Sequence, residues 1–245
     1  MKNISLLFAP VLILGFYSCQ KNINPGDPSI SSKVKTYTED VTSLNGHQVI
    51  TFNLIYDDQN RLTSMTAVSS PEDYFKYHYS TGSFSMDMHT SDGSSIHEDF
   101  FLNNNQLVDS TIQYNDTEDT TTEKYTYNAN KQLISLKTYD YTSATGAEVD
   151  NIENYQYDNN GNIIKMTDDY SVTTYEYYPD LLNNLTIGTP YSQITKNLVK
   201  TTVANNGGDV VTVNHTYTFD NNKRITSETD TADNGDLLVK TYTYY

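Results

Sequence analysis

Tryptophan is absent from this 245-residue chain, cysteine occurs once, at Cys19, and proline only six times. A single cysteine rules out an intrachain disulfide, so stability has to come from burial and backbone hydrogen bonding. Basic residues are also scarce: 15 Lys and Arg stand against 31 Asp and Glu, a formal net charge of −16. That balance excludes nucleic acid as a partner and argues against attraction to an anionic lipid surface. No stretch of ten or more residues has a helical apolar period. A nucleophile elbow, a phosphate-binding glycine loop and a zinc-ligand spacing are all missing.

What the chain has is tyrosine, 22 of them beside 8 Phe, and a short pattern that recurs. An aromatic is followed by polar residues rich in Asp and Asn, then by Leu or Ile six positions on: Tyr56/Leu62, Phe101/Leu107, Tyr127/Leu133, Tyr157/Ile163 and Phe219/Ile225. In a hairpin with a three-residue loop, Asp158 pairs with Asn162, Asn159-Asn160-Gly161 forms the loop, and Tyr157 faces Ile163. Asp at the first turn position and Gly at the left-handed one match a type I turn. Further turn signals stand at Asn45-Gly46, Thr81-Gly82, Asp92-Gly93, Asn206-Gly207-Gly208 and Asn234-Gly235. Residues 179–190 (PDLLNNLTIGTP) read as a loop or one short helical turn.

The expected fold is therefore all-β: a single-domain antiparallel meander of repeated hairpins, residues 33–245, curled into a shell or partly closed barrel. About 15 strands at roughly 4.8 Å spacing make a ribbon too wide to stay flat. Its concave face should carry the aromatic–Leu/Ile pairs. The terminal strands, near 33–43 and 237–245, would be edges open to strand addition by a partner. A membrane-spanning barrel needs an outward band of Leu, Val and Phe. The segment 120–127 (TTTEKYTY) is polar on both faces, and only the aromatic terminus Tyr242-Thr243-Tyr244-Tyr245 points the other way.

The first 18 residues read as an address. Lys2 supplies a basic start, and residues 4–17 form an apolar run too short to span a bilayer but suited to a secretory signal. The run ends at Ser18-Cys19, an arrangement that resembles a bacterial lipoprotein signal, although Phe16-Tyr17 stand where Leu and a smaller residue are usual. The resemblance implies cleavage before Cys19 and lipidation of its thiol. Residues 19–32, with two Pro and one Gly, read as a polar tether. Removing residues 1–18, which hold Lys2 and no acid, leaves 14 basic against 31 acidic residues, a formal charge of −17.

Candidate chemistry is thin. Of the histidines His47, His78, His89, His97 and His215, a two-residue turn at Asp92-Gly93 would place His89 opposite Ile96 and His97 opposite Met88, on opposite faces. The acidic turns at 115–119 (NDTED) and 230–236 (DTADNGD) offer hard oxygen ligands for calcium, without full EF-hand spacing. Among 31 acidic residues no pair stands out for glycoside hydrolysis. The expectation is thus no catalytic, cofactor or metal residues, with Cys19 as the one functional position.

The segment Tyr155-Gln156-Tyr157-Asp158-Asn159-Asn160-Gly161-Asn162-Ile163 resembles the tyrosine–aspartate repeat of Rhs-type and teneurin-type shells. The whole layout, with residues 192–198 (SQITKNL) and Tyr217-Thr218-Phe219-Asp220, is similar to an uncharacterised family of lipoproteins from Gram-negative gut bacteria. That resemblance implies a porin-like fold and attachment to the outer membrane by a lipid anchor, on its periplasmic face or at the cell surface. It carries over no functional residue. The function expected is a non-catalytic binding or structural module of the cell envelope, taking glycan, peptide or another envelope protein. The alternative is a hydrolase that attacks polysaccharide with a carboxylate pair.

Overall fold

A computed structural model of the chain describes residues 33–245, apart from 45, 115–119, 143–145, 186 and 188–194. Cys19, the signal and the tether lie outside the described residues, as does the acidic turn at 115–119. Sixteen strands follow in order: β1 (Val34–Ser43), β2 (Gly46–Tyr56), β3 (Leu62–Ala67), β4 (Tyr74–Ser80), β5 (Ser83–His89), β6 (Ser95–Leu102), β7 (Val108–Tyr114) and β8 (Thr120–Tyr127); then β9 (Leu133–Thr142), β10 (Gly146–Tyr157), β11 (Ile163–Thr167), β12 (Ser171–Leu182), β13 (Asn197–Asn206), β14 (Asp209–Phe219), β15 (Ile225–Ala232) and β16 (Leu237–Tyr244). Each pairs antiparallel with its chain neighbours, and β1 pairs with β16, so the meander closes completely into a barrel. The terminal strands expected as open edges pair with each other instead, which leaves neither available for strand addition.

Five of the connections share one geometry. Asp57, Asn103, Asn128, Asp158 and Asp220 each donate their N–H to the carbonyl four residues on. Each also accepts two backbone N–H groups on its side-chain Oδ1, from the second and fourth residues after it. The fourth loop position is left-handed: Asn60, Gln106, Lys131, Gly161 and Lys223 have φ between 61° and 90°. Glycine suits that conformation, yet four copies do without it, because the Asx side chain holds the loop closed. The pairs Tyr56↔Leu62, Tyr127↔Leu133, Tyr157↔Ile163 and Phe219↔Ile225 form as expected.

The remaining copy is shifted by one residue. The observed pair is Leu102↔Val108, not Phe101 and Leu107. Three consecutive apolar residues, Phe100-Phe101-Leu102, hide the phase. The barrel resolves it by burying Phe100 to 2% exposure while Phe101 stays at 41%. A one-residue slip exchanges the two faces of a strand. Each of the five hairpins then carries a bulge just after the loop, at Thr63, Asp109, Ile134, Ile164 and Thr226.

Beside each of these hairpins the ladder to the following strand stops short of the bulge, leaving the carbonyl of the first apolar residue without a strand partner. A tyrosine hydroxyl takes its place: Tyr79 donates to Leu62 O (2.7 Å), Tyr127 to Val108 O (2.8 Å), Tyr157 to Leu133 O (2.8 Å), Tyr177 to Ile163 O (2.6 Å) and Tyr244 to Ile225 O (2.7 Å). The recurrence of tyrosine thus has a physical cause, since each of these rings caps the preceding hairpin.

Residue alternation puts the core inside the barrel. Tyr37, Phe52, Leu54, Leu62, Met65, Phe84 and Phe100 belong to one buried cluster, and Leu133, Tyr155 and Ile163 to a second. The outer wall is polar. Outward rows include Thr38–Thr51, Lys124–Lys137, Thr216–Thr229 and Thr36–Thr243. On β4–β6 the outward face carries the exposed cluster His78–Asp87–His97–Asp99. This polarity is the reverse of a lipid-spanning barrel, whose outer band must be apolar.

Residues 179–182 are not loop: β12 runs through Pro179 to Leu182, and its pairing with β13 is broken between Tyr177 and Leu182, where proline removes no ladder bond. Tyr157→Phe should leave the Leu133 carbonyl without its donor while keeping the ring. We expect a loss of about 1–3 kcal/mol in urea unfolding, the usual result of orphaning a partly buried acceptor.

Candidate functional site: the polar lining of the barrel

With sixteen strands both termini and the five Asx hairpins fall at one rim, called proximal here, and the β1–β2, β3–β4, β5–β6, β11–β12, β13–β14 and β15–β16 connections at the other, distal rim. Described residues of the β12–β13 connection, 183–185 and 187, reach over the proximal mouth. Tyr56 of β2 donates to Ile187 O (3.2 Å), Asn184 donates to Lys223 O (2.8 Å), and Asn197 N–H donates to Asn162 Oδ1 (2.9 Å). Ile187 is buried to 4% exposure within the main core. Residues 183–185 and 187 therefore fill part of one end of the barrel.

Inside the barrel, tyrosine hydroxyls meet carboxylates repeatedly. Tyr125 donates to Glu123 (2.5 Å) and Tyr217 to Glu228 (3.2 Å); Tyr37 pairs with Glu39, and Tyr155 with Glu153. Partners two residues apart on one strand, or directly opposite across two, share a face, so inward tyrosines and glutamates find each other.

The richest patch spans β14–β16. His215 lies opposite Asp230, and Glu228 lies opposite both Tyr217 and Lys240. His215 Nδ1 is 2.7 Å from Asp230 and 3.5 Å from Glu228, and its Nε2 is 2.9 Å from the Thr202 hydroxyl. The Lys240 ammonium bridges Asp230 (2.9 Å) and Glu228 (3.3 Å). Burial alone would lower the His215 pKa, but hydrogen bonds and charge from Asp230 and Glu228 raise it to about 9. Burial raises Glu228, and Lys240 with His215 outweigh it, bringing the carboxyl down to about 2.

Ligand atoms of His215, Glu228 and Asp230 lie within 4.8 Å of one another, close enough to hold a metal ion. Lys240 already supplies a cation to both carboxylates, so the donor set does not fit one: a metal would have to share the patch with an ammonium and an imidazolium. The network is satisfied as it stands and rigidifies the inner wall. Asp230 is drawn inward to this network, and Asp233 accepts the Thr212 N–H (3.1 Å). The 230–236 turn therefore does not gather its carboxylates for calcium.

A second patch lies on β6–β8. Glu98 and Glu123 flank Thr111, which is 1% exposed and whose hydroxyl makes no hydrogen bond of standard geometry. Burial and the Glu123 charge push Glu98 up to about 7, the nearby Thr111 dipole offsetting little. Burial, with Glu153, likewise raises Glu123. No cation contributes to either shift. A shallow depression between two Asx hairpins, lined by Asn103, Asn105, Asp109, Tyr125, Tyr127 and Lys131, has Asp109 as its single carboxylate.

The histidine expectation needs a correction. The β5–β6 connection is five residues, 90–94, with the Thr90 N–H donating to Ser94 O, so His89 pairs with Ser95 and Asp87 with His97. His89 and His97 therefore share the outer face. They still serve different partners: His89 packs on Tyr74 and bonds Ser95, while His97 bonds Asp87 and Asp99. The sequence does not reveal the His215–Asp230–Lys240 and Glu98–Glu123 patches, because each joins residues from different strands whose register no local spacing shows.

Two pH dependences follow. His215 holds its proton more tightly folded than unfolded, so its stabilisation is full below about pH 6.5 and lost as pH rises through about 9. Thermal melts should fall over that window by the equivalent of on the order of 3 kcal/mol, and His215→Gln should flatten the fall. Glu98 has the same sign, its raised carboxyl favouring the folded state below about pH 4.5 and losing that contribution as pH rises through 7. Glu98→Gln should therefore stabilise the protein at pH 8, by on the order of 2 kcal/mol, and have little effect at pH 4.

Among solved structures, the chain is similar to a porin-like protein from Bacteroides uniformis, at 12% identity and a TM-score of 0.66, over 88% of this chain and 99% of that one. It is also similar to a porin-like protein from Bacteroides vulgatus, at 11% identity and a TM-score of 0.61, over 87% and 98%. No protein-family model and no curated protein matches the chain. At these identities the likeness speaks for the fold, and the porin-like architecture implied by the sequence resemblance is the one observed.

Proposed function

We propose that the protein is a non-catalytic binding or structural module of the cell envelope, tied to the outer membrane through lipid on Cys19. One observation carries this reading: the barrel has porin-like topology with its polarity reversed. Its aromatic core is inside, its Thr- and Lys-rich wall is outside, and Ile187 fills part of its proximal mouth. Such a barrel gains nothing from lipid around its waist, so membrane attachment would have to come from elsewhere, and the Ser18-Cys19 junction after an apolar run supplies it. The porin-like neighbours from Bacteroides support an outer-membrane setting. The Tyr-rich, acidic surface suits a glycan, a peptide or another envelope protein as ligand.

The hydrolase alternative rests on Glu98, whose carboxyl is raised to about 7 beside Glu123, as a general acid next to a second carboxylate would be. Both groups face the barrel interior away from the surface depression, which weakens that reading. Abolition of polysaccharide hydrolysis in Glu98→Gln with the fold intact would be needed to revive it.

Cys19→Ala tests the anchor. We expect the variant to lose palmitate labelling and leave the membrane fraction while keeping the β-type far-ultraviolet spectrum of the parent. Membrane association that survived the substitution, or a chain that needed detergent to fold, would refute the reading.

A further inference from the structure

The two rims of the barrel differ in charge. The distal connections contain Asp73, Asp92, Asp169, Asp233 and Asp236 and no lysine or arginine. The proximal rim holds Lys33, Arg61, Lys131, Lys196, Lys223 and Arg224. Its hairpin aspartates are in part neutralised locally: Asp57 pairs with Arg61 at 2.6 Å and Asp220 with Arg224 at 2.7 Å. The strong net negative charge is therefore unevenly placed, with one rim near balance and the other acidic.

The proximal rim is also ringed by exposed apolar side chains. Ile55, Phe101, Ile134, Ile164, Leu182 and Tyr245 come from β2, β6, β9, β11, β12 and the end of β16, spread around the circumference. Ile134 and Ile164 occupy the bulge just after an Asx loop, and Ile55 and Phe101 lie two residues before an Asx residue, so the hairpin geometry itself turns these four outward. The distal rim exposes Leu44, Val68 and Tyr170 as well. Apolar exposure alone does not separate the ends, whereas charge does.

Chain entry separates them too. Lys33 begins the described chain at the proximal rim, where its carbonyl accepts the Tyr245 N–H at 3.2 Å. Residues 19–32 span at most about 3.5 Å each, on the order of 50 Å in all. Strand β2, with 11 residues, is roughly 37 Å long. An anchor at Cys19 would thus reach the proximal rim with a slack tether and the distal rim only with the tether drawn out to about three-quarters of its length.

We propose that the proximal rim rests on the phospholipid surface, so that the barrel stands upright with its acidic rim directed away. The inference relies on the lipid anchor at Cys19. The apolar ring meets the interfacial region, lysines and arginines among it face the phosphates, and the acidic rim is repelled from them. The overall negative charge, which argues against attraction to anionic lipid, then sets the orientation.

The test uses the acylated full-length protein in vesicles of phosphatidylethanolamine and phosphatidylglycerol, with a bimane label on one of three substitutions: Ile55→Cys, Ile134→Cys or Val210→Cys. The first two lie on opposite walls of the proximal rim, and Val210 lies at the distal rim. Quenching by doxyl-labelled phospholipid should be several-fold stronger at both proximal positions than at Val210. Equal quenching at all three, stronger quenching at Val210, or quenching on one proximal wall alone would overturn the upright arrangement. Mass spectrometry of Cys19 separates the two readings: a protein without acyl chains overturns the anchor and this inference together, while an acylated protein with the wrong quenching pattern overturns only the orientation.

Discussion

A closed sheet has no edges along its sides, but its two rims still hold backbone groups that the ladder cannot reach. Here the proximal rim answers with one hydrogen bond, repeated: a tyrosine hydroxyl on the carbonyl left open behind an Asx hairpin. The bulge creates the vacancy and a ring on the next strand fills it. Without the hydroxyl each hairpin would end in a desolvated carbonyl, which explains why tyrosine rather than phenylalanine dominates the repeat. Two of the capping rings do more, since Arg61 stacks 4.2 Å over Tyr79 and Arg224 4.3 Å over Tyr244, tying loop to cap.

The same residue type organises the interior. Several inward tyrosines away from the rim, among them Tyr125 and Tyr217, place their hydroxyls on a glutamate, so these carboxylates enter the barrel already hydrogen-bonded. The β14–β16 patch goes further by matching two carboxylates with Lys240 and His215. On β6–β8 the matching is incomplete, and Glu98 keeps its proton near neutrality as a result. A satisfied network and an unsatisfied one thus sit on opposite sides of the barrel lining, and the second departs from what stability alone would choose.

Local chemistry was legible in the sequence, and distant chemistry was not. Tyr157, Asp158, Gly161 and Ile163 announce a hairpin because turn type, loop length and facing pair all lie within seven residues. Phe100-Phe101-Leu102 defeated the same logic by presenting three candidates for one inward position. Pro179 looked like a strand breaker, yet it sits where the β12–β13 ladder is already interrupted. The pairing of β1 with β16 leaves no local mark, so an open shell and a closed barrel read alike along the chain. The His215–Asp230–Lys240 contacts depend on the registers of three strands across two successive hairpins, which no single loop spells out.

That seam has a consequence for the order of assembly. Fifteen of the sixteen strand pairings join neighbours in the chain, and all of these but β12–β13 zip from short turns. The sixteenth brings Thr36 to Thr243, 207 residues apart. Loop-closure entropy grows with the logarithm of length, which makes the seam about 3 kcal/mol harder to form than a hairpin. It should therefore close last and open first, passing through a curled ribbon with two bare edges. In that state, before the barrel locks, the protein is most open to pairing with a second copy of itself.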